Sequence, residues 1–113
     1  MNIMDLIVAP AWWVWIAAFF AAAFLVNGAP HYIHGIAGKQ FPTPFSGGAG
    51  TLDSPVRNVL WGSGNLIAGA VLLWTIRDGL ANPLVIAELA VCGVALGALL
   101  GALLSRRDKS SKS

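Results

Sequence analysis

Residues 11–26 read AWWVWIAAFFAAAFLV, and none of them carries a charge, a carboxamide or a hydroxyl. A helix on the surface of a soluble bundle keeps a polar face at helical period, and this stretch has none to turn toward water. It lies within residues 6–38, one of the three longest stretches free of Lys, Arg, Asp and Glu; the others are 58–76 and 89–105. Charge is costly in hydrocarbon, and about twenty apolar residues cross it as a helix, so the pattern predicts membrane spans.

Composition agrees. Hydrophobic residues make up 57% of the chain. The mean hydropathy is +0.71, above what a soluble domain carries. A length of 113 residues allows one domain, here a single membrane domain over 1–113. The net charge is only +2, and four of the basic residues, Arg106, Arg107, Lys109 and Lys112, sit in the tail. A short juxtamembrane cluster reads as an orientation signal or a contact with anionic lipid, not as a nucleic-acid face. Cys92 is the single cysteine, so no intramolecular disulfide can form. The N-terminal run offers Asp5 in place of a basic region and is longer than a signal-peptide core, so it reads as a retained span.

Three helices are expected, over about residues 10–27, 55–77 and 83–104. Pro10 suits a first turn, and Asn27-Gly28-Ala29-Pro30 supplies a stop. Ser54-Pro55 and Asn82-Pro83 pair an N-cap residue with proline at the first helical position. The short connection 78–82 predicts an antiparallel hairpin between the second and third spans. Trp12, Trp13, Trp15, Tyr32, Trp61 and Trp74 fall near span ends, the headgroup level that suits aromatic rings with a polar atom. The loop 28–54 and the tail 105–113 share one side, with Lys39, Arg57 and the four tail cations against Arg77 on the other. The positive-inside rule then puts the N-terminus outside and the C-terminus in the cytoplasm of a bacterial inner membrane. The loop carries Phe41-Pro42-Thr43-Pro44-Phe45 and a glycine-rich stretch; it is expected at the interface, with Phe41 and Phe45 dipping toward the acyl boundary.

Four constellations could carry chemistry. Glu88 is the one carboxylate within a span, and an intramembrane acid must be paired, protonated or functional. Helical side chains tilt toward the N-terminus, which predicts an Arg77–Glu88 clamp across the hairpin. Asn58, Gly62, Asn65 and Gly69 recur at i, i+4, i+7 and i+11, one helical face of small and amide residues suited to helix packing or, alternatively, to a polar path with Glu88. Gly93, Gly97 and Gly101 form a small-xxx-small register for close helix contact, within the chain or between subunits. His31 and His34 share a face at i and i+3; with no second His or Cys cluster and only distant Asp53 as a third ligand, they read as interfacial histidines, and no metal or cofactor is expected. No nucleophile elbow or phosphate loop is present, which argues against an enzyme.

Asn27-Gly28-Ala29-Pro30-His31, then Phe41-Pro42-Thr43-Pro44-Phe45, Ser54-Pro55 and Asn58-x-Leu60-Trp61-Gly62-x-x-Asn65-Leu66 resemble a group of small bacterial integral membrane proteins over about residues 27–69. The resemblance implies a membrane protein and no particular activity. The expected fold is all-α, three transmembrane helices with an interfacial Pro/Gly-rich loop. The expected partners are the lipid bilayer and a second copy or another membrane subunit. The expected role is helix packing in an assembly; the alternatives are a small oligomeric transporter or channel with a polar path through Glu88 and Asn65, or a redox- or metal-linked subunit.

Overall fold

A computed structural model describes residues 9–47 and 51–112, with side chains described as far as Arg106. Asp5, the glycines of 48–50 and the side chains of Arg107, Lys109 and Lys112 lie outside the described residues. The described chain is three helices, α1 (Trp12–Ile36), α2 (Pro55–Thr75) and α3 (Pro83–Lys112), with a 3-10 turn, Gly79–Ala81, before the last. α1 and α3 are long and apolar enough to cross a membrane, with mean hydropathies of 1.6 and 2.3; α2 does not reach that measure.

The N-caps form as the residue types dictate. Ser54 Oγ accepts from the Arg57 amide at 3.2 Å, and Asn82 Oδ1 accepts from the Leu84 amide at 2.8 Å. The expected stop at Asn27-Gly28-Ala29-Pro30 does not operate. α1 runs through Pro30, which removes one backbone donor, and ends two turns later, where Gly38 at φ 71° takes the left-handed conformation. Tertiary packing accounts for the continuation: Gly28, His31 and Gly35 are buried. Extending the helix past Pro30 places all three against α2 and its loop.

α1 and α2 pack antiparallel along a seam of small residues. A Cβ on Gly28 would lie 2.9 Å from the Gly62 carbonyl oxygen, one on Gly35 would lie 2.6 Å from the Pro55 carbonyl oxygen, and one on Gly69 would lie 2.7 Å from Leu25. Backbones this close leave no room for side chains, which is what glycine provides at a helix crossing.

The expected hairpin of the second and third helices is not what forms. α3 docks on α1, and α2 and α3 scarcely touch. The face of α2 that carries small and amide residues is already occupied by α1, so the turn at Gly79–Ala81 carries α3 to another side of α1. There Val14, Ala18, Ile76 and Val85 close a small apolar core, with Leu73, Leu80 and Leu89 packed around it. Farther along, α1 and α3 leave an apolar crevice of about 180 Å³ between Ala23, Val26 and Asn27 and the leucines Leu96, Leu99, Leu100 and Leu103. Only 6% of the most apolar stretch of α3 is buried in the fold, against 28% for α1.

Candidate functional site

Apart from Asn82 at the start of α3, the buried polar residues gather where the loop folds back over the C-terminal half of α1 and the N-terminal half of α2. Asn58 is the hub. It is fully buried, and its Nδ2 donates to the carbonyls of Phe41 at 2.8 Å, Ser54 at 3.0 Å and Asp53 at 3.3 Å. A group surrounded by carbonyls must be the amide nitrogen, so the Asn58 oxygen is the atom that faces His31 Nδ1, at 2.9 Å. That oxygen only accepts, and His31 therefore carries its proton on Nδ1. His34 is set the same way, its Nδ1 donating to the Pro30 carbonyl at 2.7 Å.

The loop is tied down beside this hub. Phe41 and Asp53 exchange backbone hydrogen bonds of 3.3 and 3.0 Å as an isolated antiparallel bridge. The Asp53 carboxylate accepts from the Thr43 hydroxyl and the Ser54 amide, and its Oδ1 lies 3.3 Å from Arg57 Nε. The Thr43 hydrogen bond chiefly holds the Asp53 carboxyl below the usual carboxylate range, helped by the Ser54 amide and Arg57 and opposed by burial. Aromatic rings cover the polar centre. Phe41 stacks on His34 with centroids 4.1 Å apart and meets His31 edge-on at 5.1 Å. Trp61 stands edge-on to both His31 and Phe45, at 6.4 and 5.2 Å. Phe41 is thus turned inward, against the expectation that it dips toward lipid, while Phe45 stays 61% exposed. An aromatic side chain beside two imidazoles finds more contact inside than out, a gain that the sequence spacing does not reveal.

Two helical turns farther along, Asn27 Nδ2 donates to Asn65 Oδ1 at 3.2 Å, and Asn65 Nδ2 donates to the Trp61 carbonyl at 2.8 Å. Asn58, Gly62, Asn65 and Gly69 are all buried, and their amides are used within the chain. Asn27, a partner in this set, belongs to the expected stop signal; its role emerges only once α1 is seen to continue.

Other candidates stand apart. Arg77 and Glu88 do not form the expected clamp. The Arg77 guanidinium lies 4.4 Å over the Trp74 ring and donates to the Trp74 carbonyl at 2.9 Å, and the one ion pair among the described residues is Arg57–Asp53. A cation over indole and a backbone carbonyl a turn away are reached without crossing to α3. Glu88 Oε1 is buried without a hydrogen-bond partner. Gly93, Gly97 and Gly101 have open space where a Cβ would stand, with no atom within 4 Å. Among the described residues no three His, Cys, Asp or Glu side chains could share a metal ion. Comparison with protein-family models, with curated proteins and with solved structures found no match.

Proposed function

We propose that this chain is a small, non-enzymatic subunit of a bacterial cytoplasmic membrane, which packs helices against a second copy or a partner subunit. The observation that carries this reading is the contrast between two sets of glycines. Gly28, Gly35, Gly62 and Gly69 are filled to the limit by the α1–α2 crossing, whereas Gly93, Gly97 and Gly101 offer the same kind of small-residue register with nothing against it. α3, which carries the open register, is also the most apolar helix and the least covered.

The polar cluster supports a structural rather than a transporting role, because the Asn58 and Asn65 amides are used in holding helices and loop together. In this reading α2 crosses the bilayer beside α1, as a third span. Its amides lower its mean hydropathy but face α1, and its outward residues Leu60, Ile67, Val71 and Trp74 are exposed and apolar. The N-terminus lies outside and the basic tail in the cytoplasm, and the resemblance of residues 27–69 to small bacterial membrane proteins accords with a membrane location.

Size-exclusion chromatography with light scattering in mild detergent tests the assembly. The native chain should run as a discrete oligomer or with a stoichiometric partner, and Gly97→Leu should release a folded monomer. A native chain that is monomeric and unaccompanied, unchanged by Gly97→Leu, would refute the proposal. Reporters fused to either terminus test the orientation.

A further inference from the structure

At the end of the fold that holds the polar cluster, large apolar and cationic side chains lie exposed together, with Gln40 and Thr51 between them. Ile36, Phe45, Leu52 and Val56 are 53–69% exposed. Lys39 and Arg57 are exposed among them, the Arg57 side chain by 57%. The polar groups that would otherwise hydrate this end are turned inward: the Phe41, Asp53 and Ser54 carbonyls to Asn58, and the Asp53 carboxylate to Thr43, Ser54 and Arg57. Arg57 uses Nε on Asp53, and its two terminal nitrogens have no partner among the described residues, nor has the Lys39 ammonium. Leu103 lies beside α1 near Asn27, so Arg106, one turn on, extends toward the same end. At the opposite end the one described cation, Arg77, is folded onto Trp74.

We propose that this end is a docking surface for anionic phospholipid headgroups, with Lys39 and Arg57 on the phosphates and Ile36, Phe45, Leu52 and Val56 in the upper acyl layer. Charge complementarity selects the occupant. The buried Asp53 carboxylate is offset by Arg57, which leaves Lys39 and Arg106 to make the outward field cationic, and large apolar side chains between the cations match the depth profile of a headgroup layer. The Phe41, Thr43, Thr51, Asp53 and Ser54 carbonyls are paired within the chain, which lowers the cost of bringing this loop to the lipid interface.

The inference rests on the membrane reading above, and one experiment separates the two. The full chain with Leu52→Cys and Cys92→Ala, labelled with bimane on its single remaining thiol, is reconstituted in phosphatidylcholine vesicles. These contain equal small fractions of headgroup spin-labelled phosphatidylglycerol or phosphatidylcholine.

The phosphatidylglycerol label should quench more strongly, and Lys39→Gln should lower that preference about fivefold, the effect of one cation near a charged surface. Raising the salt concentration should lower it further. Equal quenching by the two lipids, or an unchanged preference in Lys39→Gln, would overturn the inference while leaving the membrane reading in place. Failure of the chain to resist alkaline extraction from the vesicles would instead overturn the membrane reading.

Discussion

Gly62 lies so close beneath Tyr32 that a methyl group on it would stand 2.5 Å from the Tyr32 amide nitrogen. The obstacle is backbone, which cannot move aside as a side chain can. Gly62→Ala should therefore force α1 and α2 apart and cost about 1–3 kcal/mol, the range for overpacking. Gly97→Ala meets nothing of its own chain within 4 Å and should leave the α1–α2 packing intact, with any loss confined to the proposed assembly. Thermal or denaturant unfolding in detergent compares the two, and equal effects would contradict the packing described.

Asn58→Ala should be the most damaging polar truncation. It strips His31 of its acceptor and three loop carbonyls of a shared donor at a fully buried position. A cost of about 2–4 kcal/mol is expected from orphaned buried groups, against about 1 kcal/mol for Asn65→Ala, which breaks one interhelical bond. Hydrogen exchange should show the Phe41 and Asp53 amides losing protection in Asn58→Ala.

The Asp53 carboxyl is held below its usual range by the Thr43 hydroxyl first, then by the Ser54 amide and Arg57. A depressed carboxyl stabilises the fold above its unfolded value, and that contribution disappears as pH falls through the lower, folded value. The loop anchor should hold at neutral pH and loosen only below about pH 4, the range of an ordinary aspartate. Asp53→Asn should flatten this acid limb, and an acid transition that persists unchanged would assign it elsewhere.

Arg77 and Glu88 should be energetically independent. Arg77 is held by Trp74, and Glu88 shares no bond with it. A double-mutant cycle of Arg77→Gln and Glu88→Gln should give a coupling within about 0.3–0.5 kcal/mol of zero, the additivity of unconnected sites. A coupling well outside that range would restore the clamp.

His31 and His34 should both be Nδ1-protonated when neutral, because each Nδ1 faces an oxygen that only accepts. Nitrogen chemical shifts of a histidine-labelled sample report this directly. Adding zinc should leave both sets of shifts in place, since Phe41 packs against the two rings and no third ligand joins them among the described residues.

Much of the local structure was legible in the residues. Ser54-Pro55 and Asn82-Pro83 start helices because an N-cap oxygen and a pre-set φ act over a few neighbouring residues. The shared face of Asn58, Gly62, Asn65 and Gly69 follows from helical period alone. What lay on that face's other side did not. Asn27, Gly28 and Gly35 acquire their roles from groups on α2, and Phe41 from two histidines on the helix before it, while Asn27-Gly28-Ala29-Pro30 in isolation has the composition of a helix stop.

Where charge is absent, where helices begin and which residues share a helical face were set by the chain's residues alone, because these depend on composition and on a fixed period. Packing in three dimensions settled that α1 continues through Pro30, that α3 lies against α1 rather than α2, and that Arg77 turns to Trp74 rather than Glu88. Each outcome is a competition between packing partners, resolved by which surfaces fit in space. No local pattern encodes the loser of that competition.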